Sequence, residues 1–165
     1  MFYFILKKWY NNCGENMKKI IIFIFIIFLT GCSKNNYITC NINIENKVDN
    51  YNLNGIYRIY HKNNFVTKIE KEESYISSDE SVIEYFNEIK DIEYYSLNDI
   101  YDGFSYKINT IENKIDLFVN IDLELVDLKQ MVKDKKLEKE YVVSNRLTTN
   151  GIVRFYEAKG ALCDI

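Results

Sequence analysis

The chain has 165 residues, a formal net charge of −3, 47% hydrophobic side chains, four cysteines, one histidine and no proline. That length supports one modest core rather than two, and the acidic balance excludes nucleic acid and anionic headgroups as electrostatic partners. The surplus of Ile, Asn, Lys, Tyr and Phe is what an AT-rich genome yields through its codons, so aromatic abundance alone points to no ligand.

Met1 to Asn16 is weakly hydrophobic, and Met17 is the expected start of translation, so that Trp9 and Cys13 would not occur in the protein. From Met17, Lys18 and Lys19 make a positive n-region and Ile20 to Phe28 an apolar h-region, followed by the lipobox Leu29-Thr30-Gly31-Cys32. A helix of about nine apolar residues reaches only about 14 Å against the roughly 30 Å of a bilayer core, too short for a permanent span. Residues 1–31 therefore read as extension and signal peptide, and residues 32–36 as a lipidated cysteine with a short polar tether, Ser33 to Asn36.

Cleavage would leave Cys32 as the mature N-terminus, carrying a diacylglycerol thioether and fatty acid of the palmitate kind; two chains suffice for stable anchoring. The expected location is the cell membrane, facing the extracytoplasmic side. Removing Lys7, Lys8, Lys18, Lys19 and Glu15 leaves 17 basic and 23 acidic residues, a net of minus six. Two thiols remain beyond Cys32, Cys40 and Cys163. An exported compartment lets a disulfide persist, and an even pair at opposite ends of one domain favours a bridge over two independent buried thiols.

Residues 37–165 are expected to form a single domain. Ile38, Cys40, Ile42 and Ile44 alternate with polar residues, which predicts a half-buried strand with Cys40 facing the core. Gly55 to His61 and Phe65 to Tyr75 form a hairpin around Lys62-Asn63-Asn64, where asparagine tolerates the left-handed conformation. Ser77 with Glu80 resembles a capping box, and Val82, Ile83, Phe86, Ile89 and Ile92 then recur at helical spacing to about Tyr95.

Phe104, Tyr106 and Ile108 begin the next strand. Glu112-Asn113 turns it into Ile115, Leu117, Val119, Ile121, Leu123 and Leu125, at strict period two. A short helix is expected over Val126 to Lys136, then a looser segment with Leu137, Tyr141 and Val142. A last helix starts from Thr148 or Thr149 and ends at Gly160, and Ala161 to Cys163 returns as an edge strand. The order β-β-β-α-β-β-α-α predicts an α+β fold: an antiparallel sheet of about five to six strands with helices on one face, Asp116, Asn120 and Asp122 facing water from the other.

The lipobox, Ile38-Thr39-Cys40, the helix segment Ser81-Val82-Ile83-Glu84-Tyr85-Phe86, Asp102-Gly103-Phe104-Ser105-Tyr106, Val126-Asp127-Leu128-Lys129 and the end from Leu147-Thr148-Thr149-Asn150-Gly151 through Tyr156 to Cys163 carry a resemblance. The chain resembles the YehR-like group of small bacterial lipoproteins of uncharacterised function, in particular its short relatives in low-GC Gram-positive bacteria. That resemblance implies a lipid-anchored α+β domain, supports the bridge between Cys40 and Cys163, and implies no reaction.

Motifs for catalysis are thin. His61, the single histidine, ends a hairpin strand, so neither a triad nor a histidine metal site is expected. Asp122 and Glu124 share a strand face and could hold a cation or act as acid and base, against the simpler reading of an acidic solvent face. Asp99, Asp102 and Gly103 miss the ligand spacing of a calcium loop, and no glycine-rich phosphate cradle is present.

Tyr94, Tyr95, Tyr101, Phe104 and Tyr106 cluster where helix passes to strand, a candidate groove for a glycan, peptide or acyl chain, with packing as the competing account. The expectation is a non-enzymatic binding or interaction module without cofactor or metal, partnered by the membrane through Cys32 and by an unidentified protein, peptide or glycan. A cell-envelope hydrolase using surface carboxylates and an accessory subunit of a membrane complex are the alternatives.

Overall fold

The computed structural model describes residues 37–165; the expected start at Met17, the signal segment, Cys32 and the tether lie outside them. Strand β1 (Tyr37–Asn46) runs into a turn in which Asn46 Oδ1 accepts from the Val48 and Asp49 amides, each at 3.0 Å. β2 (Tyr51–Lys62) and β3 (Phe65–Ile76) follow as the expected hairpin. Asn63 and Asn64 both have positive φ, 53° and 64°, the signature of a two-residue turn whose twist matches the flanking strands.

β2 begins at Tyr51, four residues before the expected Gly55. Asn52 and Asn54 disguise its start in the sequence, but Asn54 stands opposite Asn43, where the open face asks for no apolar side chain. Gly55 itself is required by close approach: a Cβ there would meet Ile42 Cγ2 at 2.8 Å.

Helix α1 spans Glu80–Ile100, and its cap is Asp79, whose carboxylate accepts from the Ser81 amide at 3.0 Å. Ser77, the expected cap, instead ties the preceding turn, donating to the Asn50 carbonyl at 2.6 Å and accepting from the Asp79 amide. The helix continues past Tyr95 because Leu97 extends the face that Ile83, Phe86 and Tyr94 turn to the sheet. Ile89 and Ile92, expected on that face, are exposed.

β4 (Phe104–Ile111) and β5 (Lys114–Asp122) form the second hairpin. β5 ends at Asp122 rather than running to Leu125: the Asp122 carboxylate accepts from the Glu124 amide at 3.0 Å and the Leu125 amide bonds back to the Asp122 carbonyl, so the chain turns. Gly103, at φ 86°, lets this turn close, since a Cβ would meet the Asp122 carbonyl oxygen at 2.5 Å.

Helix α2 (Leu128–Lys133) is capped by Asp127 and is shorter than expected. After a single 3₁₀ turn (Lys139–Tyr141), the looser segment resolves into a small hairpin, β6 (Val142–Val143) and β7 (Arg146–Leu147), again through two residues of positive φ, Ser144 and Asn145. Helix α3 (Thr149–Ala158) is capped by the Thr148 hydroxyl, as expected, and Gly160 ends the turn after it at φ 91°. β8 (Leu162–Asp164) closes the chain.

The main sheet is six-stranded in the order β4-β5-β3-β2-β1-β8, with every pair antiparallel and the helices on one face. This is the α+β fold expected of the sequence. Cys40 lies opposite Cys163 in the β1/β8 ladder, their sulfur atoms 2.02 Å apart, and Cys40 is fully buried. The open face carries paired polar side chains, among them Arg58 with Glu72, Tyr60 with Glu70 and Ser74 with Asp116.

Candidate functional site

Antiparallel register puts cross-strand partners on one face, so each row of the sheet can be followed from strand to strand. Under the helices one row runs Ile59, Ile69, Ile121 and Phe104, apolar throughout. The next runs Tyr57, Lys71, Val119 and Tyr106, and the one beyond it Gly55, Glu73, Leu117 and Ile108. β3 thus sends a lysine and a glutamate into the core side of the sheet, between Ile69 and Tyr75. A charged pair on the core face is the departure from burial rules that marks this region.

The pair is well satisfied. Lys71 Nζ lies 3.2 Å from Glu73 Oε1, with only 15% and 6% of the two side chains exposed. The Tyr57 hydroxyl donates to Glu73 Oε1 at 2.8 Å and the Tyr75 hydroxyl to Oε2 at 3.0 Å. Burial pushes the Glu73 carboxyl up, but the Lys71 charge and these hydrogen bonds outweigh it and hold the group below the usual carboxylate range. Burial first, and the Glu73 charge second, push the phenols of Tyr57, Tyr75 and Tyr94 well above their ordinary value.

Lys71 also donates to the Tyr94 hydroxyl at 2.6 Å and sits over the Tyr94 ring, 5.2 Å from its centroid. Tyr57 stacks on Tyr156 of α3 with centroids 4.5 Å apart, and burial raises the Tyr156 phenol to about 12.

These residues floor a half-open cavity of about 260 Å³ between the sheet, α1 and α3. Tyr94 and Leu97 of α1 make one wall, and Ile152, Phe155 and Tyr156 of α3 the other. The far end is apolar, formed by Phe104, Leu123, Leu128, Met131 and Leu137. Glu93, Lys136 and Lys159 stand at the rim. The Lys159 residue is exposed, yet its amine leans over the Phe155 ring at 4.2 Å, where partial burial and the Lys71 charge hold it below the usual lysine value.

Of the aromatic residues singled out in the sequence, Tyr94 and Phe104 line this cavity. Tyr101 is buried beside it and donates to Asp134 at 2.6 Å, Tyr106 donates to Asp91 at 2.8 Å on the outer flank of α1, and Tyr95 faces solvent. Asp122 and Glu124 do not share a strand face, because β5 has ended and Glu124 is in the exposed turn. His61 sits at an irregularity of the β2/β3 ladder, away from the cavity lining. The residues that sequence reasoning passed over are Tyr57, Lys71, Glu73, Tyr156 and Lys159. The signal for two of them was present: Lys71 and Glu73 occupy the same alternate positions as Ile69 and Tyr75.

A six-stranded antiparallel sheet, helices on one face and a cavity between the layers define a class of small α+β domain. No family model matches the sequence, and comparison with curated proteins found no match. Among solved structures, the domain shares its fold with the E. coli YehR protein, solved by NMR, at a TM-score of 0.53 and 14% identity over 79% of this chain and 92% of that one. A Streptococcus pneumoniae TIGR4 protein, also solved by NMR, aligns at a TM-score of 0.46 and 15% identity, over 80% and 87% of the respective chains. The fold is therefore YehR-like.

Proposed function

We propose that the protein is a lipid-anchored binding module on the extracytoplasmic side of the cell membrane, tethered through Cys32 and holding a small ligand between its sheet and helices. The cavity beneath α1 and α3 carries this reading. It is largely apolar with a few convergent polar groups, the usual make-up of a ligand site. Glu73, its buried carboxylate, is held ionised by three donors, which favours holding a ligand over acid–base turnover. The order of n-region, h-region and lipobox supports the anchor.

Two measurements on the full chain test the two halves. Cells fed labelled palmitate should mark the wild-type protein and leave Cys32→Ser unmarked; label on the variant would remove the anchor. A fragment library followed by NMR should shift Tyr94 and Tyr156 ahead of surface tyrosines such as Tyr95. A library that leaves both unmoved would remove the ligand site.

A second reading, an accessory subunit of a membrane complex, is favoured by one feature of α1. Tyr85, Ile89, Ile92 and Ile100 form an exposed apolar stripe on the side away from the sheet. Glu84, Glu88, Asp91 and Asp99 flank it, which suits a partner with a basic rim rather than an anionic membrane. A photo-crosslinker at Ile92 in intact cells should yield one adduct of defined mass that Ile89→Glu abolishes. Only scattered adducts, indifferent to that change, would rule the subunit out.

A further inference from the structure

Tyr156 is only 5% exposed and lines the cavity, yet its hydroxyl makes no hydrogen bond with any described residue. The Tyr94 hydroxyl, equally buried, accepts from Lys71 and donates to no described residue. Lys71 spends two of its three N–H donors, on Glu73 and on Tyr94, and keeps one. At the rim, Lys136 and Lys159 have no carboxylate within salt-bridge distance among the described residues, while Glu93 is paired with Lys90 at 3.0 Å.

The unspent N–H and O–H groups facing the cavity, on Lys71, Tyr94, Tyr156, Lys136 and Lys159, are donors, and the charge left without a paired partner is positive. Donors that line a cavity find their acceptors in water or in a ligand. The matching head is one that only accepts and carries negative charge, a carboxylate or a phosphate monoester. An ammonium or a neutral amine would add donors to donors.

Size sets the rest. An apolar cavity of about 150 Å³ holds benzene with its six carbons. By the same proportion, the 260 Å³ here takes about ten non-hydrogen atoms. Oligosaccharides and long acyl chains exceed that. We propose that the cavity binds a small amphiphilic anion, its acceptor head among Tyr94, Tyr156 and Lys159 and its apolar body toward Phe104, Leu128 and Met131. This rests on the binding-module reading above and names the ligand class for that site.

Octanoate, with ten non-hydrogen atoms, is the direct probe. The full chain in zwitterionic nanodiscs, titrated calorimetrically with empty nanodiscs subtracted, should bind octanoate with Kd on the order of 0.1–1 mM. Octanol should bind at least about tenfold more weakly and octylammonium not at all. Octyl phosphate distinguishes the sources: tighter binding than octanoate assigns a lipid-derived phosphate head, weaker binding a free carboxylic acid.

Tyr156→Phe should weaken octanoate about fivefold and leave octanol unchanged, a split that a packing role alone would not produce. If that variant fails to fold, Lys159→Gln at the rim should show the same split. Octanol or octylammonium binding as tightly as octanoate overturns the proposal, as does octanoate heat no greater than that of empty nanodiscs. Fragments that still shift Tyr94 and Tyr156 when octanoate fails would leave the binding module standing and remove only the anion; silence in both experiments removes both.

Discussion

Glu73→Ala is expected to cost about 3–5 kcal/mol, out of the roughly 5–15 kcal/mol that holds a domain of this size together. The substitution leaves the Lys71 ammonium among Tyr57, Tyr94 and the cavity wall with its counter-charge gone, and leaves the hydroxyls of Tyr57 and Tyr75 without their acceptor. The loss measures an uncompensated buried charge rather than the worth of the ion pair, because two charges brought out of water together gain little over an apolar pair of similar volume. The double variant Lys71→Met, Glu73→Leu should therefore regain part of the stability lost in Glu73→Ala, because the unpaired charge is gone while the hydroxyls of Tyr57 and Tyr75 still lack their acceptor. Urea unfolding of the two variants separates these cases: equal losses would mean that the pair does not act as a unit.

Acid provides an independent readout of the same group. The folded carboxyl of Glu73 lies below its ordinary value of 4.5, so the native protein binds fewer protons there than the unfolded chain does. Its contribution is complete above about pH 4.5 and falls away as pH drops through the lower folded value. Glu73→Gln should flatten the decline in stability over that window. An unchanged acid limb would place the proton uptake on other carboxylates.

How much of this was legible in the sequence depended on the range of the contact involved. Period-two runs in β1, β4 and the first part of β5 and the asparagine turn at Asn63-Asn64 are local signals, and strands and a turn form at those positions. Errors came where a local pattern admitted two partners. Leu123 and Leu125 continue the alternation of β5, but Asp122 and Gly103 turn the chain first, and only the contact between them decides it. On α1, apolar residues occupy two faces; Ile83, Phe86, Tyr94 and Leu97 meet the sheet, while Tyr85, Ile89 and Ile92 are left outside. Both stripes recur at helical spacing, and long-range packing decides which one the sheet covers.

The site was harder to read for a physical reason. Lys71 and Glu73 stand in Lys68-Ile69-Glu70-Lys71-Glu72-Glu73, where charges fall on both faces of the strand, and in a strand with one wet face such a run reads as solvated. Their burial follows from α1 and α3 closing over β3, a long-range fact absent from any local window. Tyr94 and Phe104 stand out because aromatics cluster in the sequence around them; Tyr156 lies in a helix with no such cluster, and its lack of an acceptor is visible only with its neighbours in place.

Reducing the Cys40–Cys163 link should lower stability by about 2–5 kcal/mol and the Tm by about 10–20 °C. The two cysteines are 123 residues apart in sequence, and in the chain-entropy description opening a loop of that length releases about 5 kcal/mol of denatured-state freedom. β8 is three residues long and holds the edge through three cross-strand pairs, Thr39 with Asp164, Cys40 with Cys163 and Asn41 with Leu162. Once the covalent tie is gone, those pairs alone must keep the tail in register, and β1 becomes an open edge. Cys163→Ala and reduction by a thiol should therefore agree, with faster amide exchange along Thr39 to Asn41. Cys40→Ala should cost more than either, since Cys40 is fully buried and its removal also leaves a void. Melting curves with and without reductant decide the matter: coincident curves would mean that the ladder and the core around α3 hold the tail unaided, whereas a separation of the expected size makes full stability of this domain depend on an oxidising compartment.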